Sequence, residues 1–236
     1  MSSVHRPPNQ LLQRLPAADF EALRPHLKLI EMARDAVLTE TGAALNQVYI
    51  PHAGVVSIVV GLSEGQMVAA ALVGRDTIVG SAELLGDGIS LSDAVVLSPG
   101  AASTIDLTDF RTIAAQSAVF RNLLARHQQA VFLQAQQTAA CNASHSVEAR
   151  LARWLLLAHD LSDGRMLPMT QGLLARMIGV QRNAISIVAS ALQQGGIISY
   201  SRGQIEVTNM EALRRTACEC YAAIKTRHEQ LLGEPD

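Results

Sequence analysis

Apolar residues recur along this chain with three different periods, and the changes of period divide it. From about Gln10 to Leu107 the pattern opens with a helical segment at 17–27 and then breaks into short β-like runs. Val48-Tyr49-Ile50, the run 55–60, the run 67–72 and Thr77-Ile78-Val79 are each bounded by Gly, Pro, Asn or Asp, the residues that punctuate strands. Ser63-Glu64-Gly65-Gln66 reads as a hairpin turn, and Pro99-Gly100 as a turn between the runs 94–97 and 103–107. Short strands at such regular spacing predict a small barrel or sandwich.

Between Thr108 and Asn142 there is no Pro or Gly, and Ala, Gln and Leu dominate. Thr108 or Asp109 can cap a short helix there, and a longer one follows. Phe120, Leu124, His127, Val131, Gln134, Thr138 and Cys141 form one stripe at alternating three- and four-residue steps. A seam on a long helix with polar flanks wants a partner, and the simplest is a second copy of itself. The competing reading is a helix packed on its own domain.

From Ser144 the pattern becomes a compact helical unit ending in a hairpin. Val147, Leu151, Trp154, Leu155 and Ala158 lie on one face of a helix that stops at the turn Ser162-Asp163-Gly164. Thr170 can then cap a helix to Met177 or Ile178, and Ala175 is small where two helices would cross. Gly179 sits where the chain must turn, and a second helix runs from about Arg182 to Gln193. Its inner face carries Ile185, Val188 and Leu192, whereas Gln181, Arg182, Asn183 and Ser186 lie outward near its N-terminus. That is the end of a helix-turn-helix that enters the major groove. Arg pairs bidentately with guanine, and Asn or Gln with adenine. Thr170, Gln171 and the helix amides suit phosphate. Gly195-Gly196 stops the helix, and 197–200 and 204–208 read as two strands of a wing with Arg202 at its tip.

Charge agrees with this once it is localised. The chain's net −2 hides a +4 balance at 165–215, where six arginines face Glu206 and Glu211, against −3 over 1–140. An apolar fraction of 49% supplies a core. Aromatics at 3% argue against a base-stacking platform for single strands. No long uncharged apolar run predicts a membrane span, and 1–14 has no signal-peptide core. With only Cys141, Cys218 and Cys220, neither a disulfide framework nor a four-ligand zinc site is expected. Cys218 and Cys220, read as part of one helix, point to different faces. The expected compartment is a reducing cytoplasm. No nucleophile–base set, phosphate loop or metal-ligand cluster points to an enzyme. The rival reading is a small-molecule receptor whose winged helix binds a protein.

Taken together, the chain resembles the Crp/Fnr family of bacterial regulators. The resemblance rests on Val147-Glu148-Ala149-Arg150-Leu151-Ala152-Arg153-Trp154-Leu155, on Leu167-Pro168-Met169-Thr170-Gln171, and on Ile198-Ser199-Tyr200-Ser201-Arg202-Gly203. Val48-Tyr49-Ile50-Pro51, Gly54-Val55-Val56-Ser57, Gly74-Arg75-Asp76 and Val79-Gly80 extend it into the first part. It implies an α+β chain. A cupin-like jelly-roll β-roll (1–107) would be followed by a short helix and a dimerisation helix (108–143), then a winged helix-turn-helix (144–236). It further implies a homodimer on inverted-repeat double-stranded DNA, with RNA polymerase as a candidate partner. The cyclic-nucleotide members carry a phosphate cassette of Gly and Glu, then Arg with Ser or Thr. Here Gly80 and Glu83 match its first half, but Ser92-Asp93 stands where the arginine is expected. A carboxylate there repels a cyclic phosphate, which argues against cyclic AMP. No cysteine precedes Cys141, so an N-terminal iron–sulfur cluster cannot form. Haem stays open through His26, His52 or His127. In the recognition helix Arg182 is retained, but Asn183 and Ile187 depart from the pattern of the cyclic-AMP protein.

Overall fold

The structure, a computed structural model, describes residues 6–63, 65–82, 86–162 and 166–233. Glu64, Glu83 and the Asp163-Gly164 turn lie outside the described residues. The chain opens with α1 (Gln10–Arg14) and α2 (Ala17–Leu23), the latter continuing into a 3-10 turn over Arg24–His26. Among the described residues seven strands follow: β1 (Lys28–Met32), β2 (Val37–Thr39), β3 (Gln47–Pro51), β4 (Val55–Gly61), β5 (Met67–Val73), β6 (Asp93–Ser98) and β7 (Gly100–Asp106). They form two antiparallel sheets, β1-β7-β3 and β2-β6-β4-β5. Alternate residues such as Val48 and Ile50, or Val96 and Ala94, point into the roll and are fully buried.

The strand expected at 77–79 does not form. Val79 makes a single bridge to Tyr49. Pro99-Gly100 joins β6 to β7 but passes between sheets, so those two strands do not pair. β1 and β2 carry Lys, Glu, Thr and exposed Leu29 and Val37, which hid them from a search for apolar runs.

α3 (Leu107–Gln116) and α4 (Ala118–Ser144) follow. The cap of α3 is Asp106, which accepts the Thr108 N–H at 2.8 Å, not Thr108 or Asp109. Ser117 caps α4. At 27 residues α4 is about 40 Å long. Its inner stripe requires a correction. Phe120 and Leu124 are buried in a cluster with Phe20, Ile105 and Phe110, and Val131 packs on the roll. His127 accepts the Ile78 N–H through Nε2 at 3.2 Å. Gln134 donates to the Leu72 carbonyl at 3.2 Å and accepts the Leu72 N–H. The stripe expected to meet a second chain is therefore occupied by the chain's own β-roll and by helices packed beside it. β5 is an edge strand, and Gln134 supplies the pairing that an edge otherwise lacks.

The C-terminal part contains α5 (Val147–Leu161), β8 (Met166–Leu167), α6 (Gln171–Ile178), α7 (Arg182–Gln194), β9 (Ile198–Ser201), β10 (Gln204–Val207), α8 (Met210–Thr216) and α9 (Cys220–Leu232). One apolar core runs through Trp154, Leu155, Leu174, Ile178 and Ile185 and continues into Val55, Ala69, Leu72 and Leu97 of the roll. α9 packs along α4.

Burial holds the His127 imidazole down to about 4, against the opposing pull of the Asp76 carboxylate. Burial would raise Asp76 itself, but the hydrogen bond and charge of His228 on α9, 3.2 Å away, hold it below its usual value. Between pH 6.5 and about 4 the unfolded chain takes up a proton at His127 that the folded chain refuses. Stability measured by urea unfolding should therefore fall by about 3 kcal/mol as pH drops across that window. His127→Gln keeps an acceptor for Ile78 and should flatten this slope.

Candidate nucleic-acid interface

Each half of the helix pair is set by local chemistry. Thr170 caps α6 by accepting the Leu173 N–H at 3.2 Å. At its end Gly179 takes the left-handed conformation (φ 71°, ψ 45°), and its N–H closes on Ala175 and Arg176. A side chain there would be strained and would meet Val68 of β5 at 3.2 Å. Gln181 is the N-cap residue of α7, and its side chain makes no cap bond. Gln181, Arg182 and Asn183 are all exposed at the N-terminal end of α7, while Ile185, Ala189 and Leu192 are buried beneath them. Val188 packs against the same core.

Ser186 has a positioning contact. Its hydroxyl donates to Gln171 Oε1 at 2.7 Å, and the Gln171 N–H donates to the Tyr200 hydroxyl at 3.2 Å. These bonds tie α6, α7 and the wing together at the surface where DNA would lie. The wing is the β9–β10 hairpin, with Ile205 paired to Tyr200 and Gln204 to Ser201. Arg202 (φ 50°) and Gly203 (φ 77°) occupy its two-residue turn, both left-handed as such hairpins require. Arg202 is exposed at the tip. Ile187 is a further contact candidate that the polar pattern of α7 did not single out. It is 70% exposed, beside Asn183 and Ser186 on the outer face of α7. An apolar residue held in water on that face suits contact with a thymine methyl. Its period places it off the inner face, but a template of polar readers passes it over.

Two family models match the chain: the Crp-like helix-turn-helix domain over residues 149–216, and the cyclic nucleotide-binding domain over 29–117. The chain belongs to the Crp/Fnr family of transcription regulators. No curated protein sequence gives a significant match. Among solved structures, FixK2 from Bradyrhizobium japonicum superposes with a TM-score of 0.69 at 17% identity, covering 81% of this chain and 98% of that one. A Crp/Fnr-family regulator from Eubacterium rectale gives 0.69 at 16%, covering 87% and 96%. A CRP-family regulator from Thermus thermophilus gives 0.67 at 20%, covering 80% and 96%. At these identities the likeness is one of fold, and it agrees with the α+β class of β-roll plus winged helix.

The remaining candidate residues of this Crp/Fnr chain lie away from that surface. Gly80 (φ 90°) turns the backbone against Leu45. Ser92 lines a cavity of ≈ 70 Å³ beside Val73, Val79, Ile58 and Val131, and none of the described residues lining that cavity is basic. Asp93 does not face it as a free charge. Its Oδ1 accepts the Thr41 N–H at 2.7 Å and hydroxyl at 2.9 Å. The histidines are engaged separately: His26 with Asp109 at 2.8 Å, His52 with Ser103 at 3.0 Å, and His127 with Ile78. The cysteine geometry also needs correction. Cys218 lies ahead of α9 and Cys220 is its first residue, so the two do not share a helix. Both thiols turn toward α4, where Cys218 Sγ stands 3.5 Å from Cys141 Sγ.

Arg182→Ala should weaken specific DNA binding by about 1–3 kcal/mol and relax preference at one base pair, read by anisotropy titration over single-base operator variants. Arg202→Ala should weaken all sequences alike and lower the slope of log K against log salt by about 1.

Proposed function

We propose that this regulator is a homodimer that reads an inverted repeat through Gln181, Arg182, Asn183, Ser186 and Ile187. Thr170, Gln171 and Arg202 hold the phosphates on either side. The observation that carries this reading is the exposed polar N-terminal end of α7 set beside the wing tip. With two copies related by a two-fold axis, the recognition helices must lie about 34–36 Å apart to enter successive major grooves.

The outer face of α4 supports the dimer. Ala125, Gln129, Phe132, Gln136, Ala139 and Ala143 are all exposed, and their steps of four and three residues make a 3.5-residue period. Phe132 is 64% exposed at its middle. Small residues around one large apolar one let two backbones approach while burying a ring, and a second copy of the same helix presents the complementary surface. Cyclic AMP is not the proposed effector. The ≈ 70 Å³ cavity is well below the roughly 300 Å³ of usual ligand sites, and it lacks a cation for the phosphate. Control through a partner or through protein level is the reading that this small, uncharged cavity favours. The receptor reading with a protein-binding wing is less favoured, because the exposed end of α7 is polar and its wing tip cationic.

Phe132→Asp is the test. Sedimentation at micromolar concentration should give the dimer mass for the parent chain and the monomer mass for the variant, which should also lose its preference for an inverted repeat over a single half-site. A variant that stays dimeric, or a parent chain that is monomeric on DNA, contradicts the proposal. Cyclic AMP should leave the parent's affinity unchanged.

A further inference from the structure

Cys141, His145, Cys218 and Cys220 converge at the joint between the two halves of the molecule. One donor atom from each, three Sγ and an imidazole nitrogen, all lie within 4.8 Å of one another. Cys141 Sγ and Cys218 Sγ are 3.5 Å apart, and Cys220 Sγ is 3.5 Å from His145 Nδ1. A tetrahedral zinc ion with bonds of about 2.3 Å to sulfur and 2.0 Å to nitrogen sets its donors about 3.5–3.8 Å apart. Two of the six donor–donor distances are at that edge length, and the others lie within 4.8 Å. An iron–sulfur cubane binds each thiolate to a different iron and spreads the donors farther.

Three further features surround the four donors. His145 Nε2 is 3.2 Å from the Glu219 carboxylate, which fixes the ring with the Nδ1 lone pair toward the sulfurs. That is the carboxylate–histidine pairing that orients metal-bound imidazole. Gln137 Nε2 lies 3.1 Å from Cys220 Sγ as a donor to sulfur. Arg153 is fully buried, and its Nε and Nη2 have no hydrogen-bond partner among the described residues. Burial pushes its guanidinium below the usual arginine range, and the side chains beside it that would oppose this when ionised are those of Cys141, Cys218 and Cys220. A buried guanidinium without a counter-charge is costly, and neutral thiols supply none. Three thiolates, one neutral imidazole and a divalent cation carry a net −1, which is the charge that Arg153 lacks.

We propose that Cys141, His145, Cys218 and Cys220 bind one borderline-soft divalent cation, zinc in a Cys₃His site. Binding releases the three thiol protons to solvent, and no electron is transferred. The ion joins the last turn of α4, the His145-Ser146 link into α5 and the start of α9. It therefore fixes the C-terminal unit to the long helix at the point where the chain passes from one to the other. The proposal is independent of what α7 reads.

Cobalt(II) substitution tests it on the full-length chain. Protein stripped of metal under reducing conditions and titrated with Co²⁺ should saturate at one ion per chain. It should show a thiolate-to-cobalt charge-transfer band and the intense ligand-field bands of a four-coordinate site. Zn²⁺ should then bleach both, since it binds such sites more tightly. Cys220→Ser should reduce the charge-transfer intensity by about a third, one thiolate of three. Glu219→Gln should keep the bands but weaken cobalt affinity about 10–100-fold. The parent spectrum decides the matter even if a cysteine variant fails to fold. Absence of the bands overturns the proposal, whether the thiols then react freely with a thiol reagent, Cys141 and Cys218 oxidise to a disulfide, or the purified chain carries iron and sulfide.

Discussion

The structure depends on one demand placed on α4: its buried face must satisfy the backbone of the β-roll while it carries the C-terminal half. Two polar side chains on that face do the first task. Gln134 pairs with both backbone groups of Leu72 on the edge strand β5, and His127 takes the Ile78 N–H. Leaving such buried groups unpaired costs about 1–3 kcal/mol each. α4 is thereby held in register on the roll, with Phe120 and Leu124 anchoring one end. Farther along, Thr138 accepts from Arg153 of α5 at 3.2 Å. The same face that binds the roll thus also receives the winged-helix unit.

From that register the DNA-reading surface follows. Trp154 and its neighbours on α5 join the winged helix to β4 and β5 in one core. Gly179 brings the turn between α6 and α7 against Val68, and Arg150 donates to the Ile178 carbonyl at the end of α6. α7 is consequently placed by its buried side, through Ile185, Ala189 and Leu192, and its outer side is left to solvent. The Ser186–Gln171 bond and the Tyr200 hydroxyl then fix the polar groups at its N-terminal end.

The winged helix was legible in the sequence because its determinants are local. A threonine cap, a left-handed glycine and a two-residue hairpin each leave a mark within a few positions. The roll was half legible. Strands with unbroken apolar runs, such as β4 and β5, stood out, but β1 and β2 did not, because one face of each is wet. The long helix was legible in extent but not in orientation. Its 120–141 stripe and its 125–143 stripe both keep a 3.5-residue period, and periodicity does not say which one meets the roll. Buried His127 and Gln134 resemble the polar positions of a dimer seam until the strands they bond to are placed beside them. The cysteines were illegible for a related reason. Cys141 and Cys218 are 77 positions apart, and only the packing of α9 along α4 unites them.

In the proposed dimer α4 has two distinct faces, an inner one spent on its own chain and an outer one turned to a second copy. Site-specific incorporation of a benzophenone amino acid, followed by irradiation of the purified chain, separates the two. At Gln129 or Gln136 on the outer stripe the photoproduct should migrate as a covalent dimer. At Leu124 on the inner stripe it should remain monomeric, joined only within the chain. A covalent dimer from position 124, or none from positions 129 and 136, would contradict the account.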